Sequence, residues 1–317
     1  MNNRNFGTGY HSVFKKGHLT LGIGYPLEAY ESPIPLMKDQ LALGRQVEDG
    51  GFSAVWVRDV PLLDPSFGDA GQIFDTWSWM GYLAATTTSI ALCTGSVILP
   101  LRHPVDTAKA AASVDHLSDG RVILGVASGD RPVEYSVYQQ PFDSRDEAFR
   151  NAVGFIQHNT HRPENWDDQQ ALLTRQVELL PKSYHGDMPL LVTGNSRQSL
   201  DWIAANGDGW LMYPRPPEVQ QAVVENWQSH VTAAGFDWKP FSQSLYIDLT
   251  EDPDTEPTKI HLGYRLGRNR LIEHLAALRD IGVSHVALNI RFASRPVADV
   301  IGELCEYVVP EFPKLHT

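Results

Sequence analysis

The chain of 317 residues contains only two cysteines, Cys93 and Cys305, with no CxxC spacing and no neighbouring histidine. That excludes a disulfide framework and a thiolate metal site. Both lie in apolar stretches (ALCTG and GELCEYVV) and read as buried free thiols. Basic charge is also scarce, with 26 Lys+Arg against 38 Asp+Glu and a formal net charge of -12. There is no Lys/Arg run, so nucleic acid is excluded as a partner class. No stretch approaches the ~18 apolar residues of a membrane span. The opening MNNRNFGTGYHSVFKKG lacks the apolar segment of a secretion signal. A cytoplasmic protein with no membrane partner is expected.

The common catalytic signatures are missing too. There is no P-loop, no GxSxG, no HExxH, and no GxGxxG following a strand. Among scattered histidines and acids, no spaced ligand set marks a metal-dependent hydrolase. This pattern suits chemistry carried by an organic cofactor, with the protein supplying orientation and electrostatics.

What is present is a regular alternation of short apolar runs and longer amphipathic segments. Strands are expected at 19–24, 52–57, 90–99, 122–127, 189–194, 209–213, 244–249 and 285–290, each followed by a helical pattern. A Gly-containing loop is expected at 68–72, with Asp75 capping the helix after it. Eight βα units over this length predict a single-domain (β/α)₈ TIM-type barrel, typically ~250 residues plus insertions. The competing architecture is a doubly wound sheet. Residues 1–16 form an N-terminal extension. An insertion after strand 4, about residues 130–187 and containing HNTHRPENWDDQQ, is the expected lid.

Three segments could carry a ligand. GVASGD places Ser128 and Gly129 just past the fourth strand, where small residues let backbone N–H groups approach an anion. TGNSRQS ends the fifth strand and puts Asn195, Ser196 and Ser199 at a helix start, either as a phosphate site or as simple caps. In TGSVILPLRHP, Gly95 and Ser96 interrupt a β-branched strand. Such a break marks a bulge, a close backbone approach or a packing accommodation.

TGSVILPLRHPVDTAKAAASVDHLSDGRVILGVASGD, followed by GNSRQSLDWIAANGDGW and GVSHVALNI, resembles the luciferase-like flavin monooxygenase superfamily over about residues 18–312. The resemblance implies an FMN-type ring at the barrel mouth. Its phosphate would be held by Ser128, Gly129, Asn195, Ser196 and Ser199, and its ring supported by a cis Gly95–Ser96 peptide. It further implies reduced FMN supplied by a separate flavin reductase, O₂ as co-substrate and a small organic substrate, and it leaves a homodimer open. The alternatives are a deazaflavin-dependent hydride-transfer oxidoreductase and a non-catalytic flavin-binding barrel. One departure stands out, because the family histidine after the second strand is replaced by Arg58-Asp59-Val60. Arg58, Asp59 and His103 become the candidate catalytic residues, each with a structural role as the competing reading. Trp56 could shape the substrate pocket, and Arg265 and Arg268 are candidate anion contacts.

Overall fold

The computed structural model describes residues 4–67, 73–163 and 177–316. Its strands, in chain order, are β1 (Thr20–Gly24), β2 (Ala54–Val57), β3 (Ala91–Thr94), β4 (Val97–Ile98), β5 (Val122–Ala127), β6 (Leu190–Thr193), β7 (Gly209–Met212), β8 (Phe241–Leu249), β9 (Thr258–Ile260), β10 (Gly263–Leu266) and β11 (His285–Asn289). Parallel pairing runs β1, β2, β3, β5, β6, β7, β8, β11, and β11 returns to β1. That circle of eight parallel strands is a closed TIM-type barrel, which rules out the doubly wound sheet. The strands are rich in Val, Ile and Leu with nearly every residue buried, as expected when helices cover one face and the barrel interior the other.

The helices are α1 (Thr8–Val13), α2 (Gln40–Asp49), α3 (Thr76–Thr86), α4 (Pro104–Leu117), α5 (Pro132–Val137), α6 (Arg145–Thr160), α7 (Leu200–Asn206), α8 (Pro217–Ala233), α9 (Arg268–Asp280) and α10 (Val297–Glu303). Among the described residues no helix is long and apolar enough to cross a membrane. Asp75 caps α3 as expected, its carboxylate accepting from the Ser78 N–H at 2.9 Å. The loop expected at 68–72 lies outside the described residues.

The N-terminal extension is a plug. Tyr10, Val13 and Phe14 of α1 and its C-cap enter the barrel interior with Ala54, Trp56, Cys93 and Ile123. Gly9 permits this seating, since a Cβ there would stand 2.4 Å from the Arg121 carbonyl oxygen. The plug closes the end where the strands begin, leaving the other end as the mouth.

The segment after β5 serves both ends. α5 follows the strand directly at the mouth, and α6 packs on α4 as an ordinary barrel helix. The described residues on either side of 164–176 include contacts at the plugged end. Arg162 N–H bonds the Gly186 carbonyl at 2.7 Å, and Asp187 N–H bonds the Asn5 carbonyl at 2.7 Å. Residues 164–176, which hold most of the HNTHRPENWDDQQ stretch expected as a lid, lie outside the described residues.

The third strand divides where Gly95-Ser96 interrupts it. β3 ends at Thr94, β4 resumes at Val97, and the Gly95–Ser96 peptide between them is cis. After β8, a hairpin of β9 and β10 extends the sheet outside the barrel circle, a feature with no strong alternation in the sequence.

Candidate functional site

Ligands in this architecture bind at the C-terminal ends of the strands, where βα loops converge. Here that end holds a cleft of about 290 Å³. Three of its walls are the small-residue segments singled out above: Gly95-Ser96 after β3, Ser128-Gly129 after β5, and Gly194 to Ser196 after β6. A second cavity of about 150 Å³ continues into the barrel past Trp56 and shares Arg58, Gly95, Thr193 and Tyr213 with the cleft.

These walls are bonded to one another. The Ser196 hydroxyl donates to the Thr193 carbonyl at 2.8 Å and accepts from the Ser128 N–H at 3.2 Å, joining the loops after β5 and β6. The Ser96 and Thr193 hydroxyls are hydrogen-bonded, joining the loops after β3 and β6. Tyr135 of α5 donates to the Ser128 carbonyl. Backbone conformation at the walls is unusual, with φ of +71° at Gly129, +56° at Gly194 and +43° at Ser196. At Gly129 a Cβ would stand 2.7 Å from Ile98 Cγ2, so only glycine fits. At Gly194 nothing lies within 4 Å of that position. The result is a concave surface of backbone and short hydroxyls, suited to receiving an anion.

Arg58 and Asp59 reach the same cleft, but the Asp59 carboxylate is already engaged. It pairs with the Arg102 guanidinium, with one of the two contacts at 2.7 Å, and accepts from Ile98 N–H at 3.1 Å and the Thr76 hydroxyl at 3.3 Å. It thereby ties the end of β2 to the chain beyond β3. His103 and Ser199 are exposed and line neither cavity. The His103 ring accepts from Val105 N–H at 3.3 Å as the N-cap of α4, and Ser199 accepts from Trp202 N–H at 3.2 Å as the N-cap of α7. Arg265 lies 3.6 Å from Asp248, and Arg268 bonds Glu303 at 2.8 Å while covering the Tyr307 ring. Neither arginine lines the cleft.

Sequence patterns alone do not announce the network beneath the floor. Trp56 Nε1 donates to His285 Nε2 at 2.9 Å, and His285 Nδ1 meets the Thr20 hydroxyl at 2.8 Å. Thr20 donates its own proton to the Val13 carbonyl at 2.8 Å. His285 must therefore carry its proton on Nδ1, as a neutral ring. Burial with no compensating anion drives its pKa from 6.5 to about 3. A signal exists in the first strand, LTLGIG. A Cβ at Gly22 would stand 2.6 Å from His285 Nε2 and 2.7 Å from Trp56 Nε1, so glycine makes room for this bond.

A closed parallel barrel with a small-residue cleft at its mouth and a divided third strand defines a class, the barrels that seat a ligand on their βα loops. Comparison with known proteins gives the family. The family model described as luciferase-like monooxygenase matches residues 21–254, and the chain belongs to that oxidoreductase family. An uncharacterised protein of Mycobacterium tuberculosis is 29% identical over 229 residues, covering 67% of this chain and 80% of that protein. The alkanal monooxygenase alpha chain of Photorhabdus luminescens is 25% identical over 177 residues, covering 56% of this chain and 48% of that one. Among solved structures, an F420-dependent secondary alcohol dehydrogenase superposes with a TM-score of 0.72 at 17% identity, covering 94% of this chain and 100% of the other. The monooxygenase RslO1 of Streptomyces bottropensis gives 0.69 at 18% identity, covering 92% and 99%. At such identities the two structures establish the fold alone.

Proposed function

We propose that the mouth cleft holds an isoalloxazine coenzyme, and that the protein is an oxidoreductase using reduced FMN and O₂ to oxygenate a small organic substrate. The observation that carries this reading is the convergence of Gly95-Ser96, Ser128-Gly129 and Gly194 to Ser196 on one cleft. The residues fit the group. Positive-φ backbone and hydroxyls offer a place for a phosphate, and the deeper cavity beside Gly95 and Trp56 offers an apolar floor for a flat ring. FMN, when bound, would supply the redox chemistry. The chain's own residues orient the ring against the third-strand break, fix the phosphate end, and exclude water through Trp56, Leu211 and Ala287 along the inner cavity. Reduced coenzyme would come from a separate reductase, since no nicotinamide-binding motif appears in the sequence.

A second reading is a hydride-transfer enzyme using a deazaflavin. It is favoured by a 24% identity over 212 residues to the 5,10-methylenetetrahydromethanopterin reductase of Archaeoglobus fulgidus, and an F420-dependent dehydrogenase shares the fold. Both coenzymes present a tricyclic ring and a ribityl phosphate to the same walls. Reoxidation of reduced FMN by oxygen, followed by stopped-flow absorbance with and without the protein and its candidate substrate, separates these readings, because the free coenzyme consumes oxygen on its own. A non-catalytic flavin carrier would bind FMN without altering its reaction with oxygen.

Ser196→Asp tests the phosphate end. Aspartate tolerates the left-handed backbone at this position. Its carboxylate can still accept from Ser128 N–H but would face the phosphate. At ~4 Å and an effective dielectric of ~20, that repulsion reaches a few kcal/mol. FMN binding, followed by fluorescence titration, should weaken at least about tenfold with circular dichroism unchanged. Unchanged affinity would remove Ser196 from the phosphate site.

A further inference from the structure

The cleft contains a buried carboxyl that its surroundings leave incomplete. Glu134 lies on α5, one turn past the Gly129 wall, lines the cleft and is 3% exposed. Its Oε1 is buried and has no hydrogen-bond partner. The guanidinium of Arg131 stands 3.6 Å from that oxygen, an ion-pair separation rather than a hydrogen bond. The other acids at the mouth differ. Asp59 is satisfied by Arg102, Ile98 and Thr76, and Asp130 is exposed. Among the described residues lining the two cavities, none is a histidine.

An unsatisfied buried carboxyl oxygen is destabilising, more so if charged, and such groups in folded proteins have a reason. In a cleft wall the simplest one is that the missing partner arrives with the ligand. We propose that Glu134 is a ligand-binding residue of this cleft, donating a hydrogen bond from its carboxyl to an acceptor on the bound coenzyme. The proposal rests on the reading of the cleft as a coenzyme site. Burial pushes the Glu134 carboxyl above the usual carboxylate range, Asp59 and Asp130 push it the same way, and Arg131 and Arg102 oppose them. Among the described residues these four act on it from the N-cap of α5, the loop before it, the end of β2 and the turn before α4, and Arg58 lines the same cleft. A protonated carboxyl has the O–H that the donor role needs, and a bound coenzyme supplies the acceptor that the protein does not.

The sign of the pH effect follows. If coenzyme binds the protonated form, raising the pH through the elevated pKa removes the donor and leaves an anion, and affinity falls by up to about tenfold per pH unit. Glu134→Gln keeps a neutral donor that does not titrate. FMN dissociation constants for wild type and Glu134→Gln should be measured by fluorescence from about pH 5 to about pH 9, so that titration of the FMN phosphate cancels in their ratio. The ratio of wild type to Glu134→Gln should be near one at the acid end and climb at least about tenfold at the alkaline end. Glu134→Leu, which removes the donor without adding a buried polar group, should bind about tenfold more weakly than Glu134→Gln at every pH. Parallel pH profiles for wild type and Glu134→Gln, or equal affinity of Glu134→Leu and Glu134→Gln, would overturn the proposal while leaving the coenzyme reading in place. Wild type that binds neither FMN nor a deazaflavin at any pH would instead overturn the coenzyme reading, and this inference with it.

Discussion

Gly95→Val is expected to weaken coenzyme binding by at least about tenfold while the barrel stays folded. Gly95 borders both the mouth cleft and the inner cavity, with Arg58, Thr193 and Tyr213, and so stands where the two meet. A Cβ at this position would stand 3.0 Å from Trp56 Cε3, tighter than ordinary contact. The indole cannot swing aside cheaply, because its Nε1 is bonded to buried His285 at 2.9 Å. The valine methyls must therefore occupy the space between the cavities, where the proposal seats the ring. Overpacking of this kind costs about 1–3 kcal/mol, which falls on the complex when the volume lost is the ligand's. The Gly95 N–H bond to the Val57 carbonyl at 2.7 Å can persist in the variant, so the strand need not open. FMN titration and a thermal melt on the same preparation separate the two effects. If stability collapses and the remaining folded protein binds FMN normally, Gly95 is a packing accommodation and not part of the site.

The second large effect is expected at His285. In His285→Leu the indole N–H of Trp56 loses its acceptor in a fully buried place, a cost of about 1–3 kcal/mol. For a chain of this size each kcal/mol lowers the melting temperature by about 1.5 °C. The distinguishing signature is in acid. His285 stays neutral in the folded protein down to about pH 3, whereas in the unfolded chain it takes up a proton near 6.5. The unfolded state thus binds more protons between those values, so the contribution of this residue is full above 6.5 and is lost as pH falls. Its slope is about 1.4 kcal/mol per pH unit. Urea unfolding at about pH 7 and about pH 5 should show wild type losing about 2 kcal/mol more than His285→Leu over that interval. Identical losses in the two proteins would mean that His285 is not held neutral.

The barrel is legible because its strands are buried on both faces, so VILGVA, PLLVTG and HVALNI stand out as apolar runs between helical patterns. For the seventh barrel strand the apolar pattern marks only the part from 244. The strand itself begins at Phe241, and its Ser242 and Gln243 are polar residues that the closed barrel buries. Gln243 Oε1 accepts from Gln220 Nε2 at 2.8 Å, a pairing invisible in an FSQS string. The plug is likewise hidden, since a six-residue helix is too short to show a period.

For the site, the small-residue strand ends are visible as breaks in apolar runs, and the fold brings them to one cleft. The roles of its charged groups are not visible. Asp59 and Arg102 are 43 residues apart, and nothing local announces their pairing. Glu134 sits in an unremarkable PVEYSV helix, and its burial follows from α5 packing over the mouth. His285 is one more scattered histidine until Gly22 and Trp56 close around it.

Equilibrium titration of the purified wild-type protein tests most directly whether the cleft is a coenzyme site. FMN and a deazaflavin would each be added while ligand fluorescence and absorbance are followed. Saturable one-to-one binding of at least one of them, with the ring's absorbance shifted by its enclosure, is the expected result. Failure of both to bind up to about 1 mM, a free energy no better than about −4 kcal/mol, would contradict it.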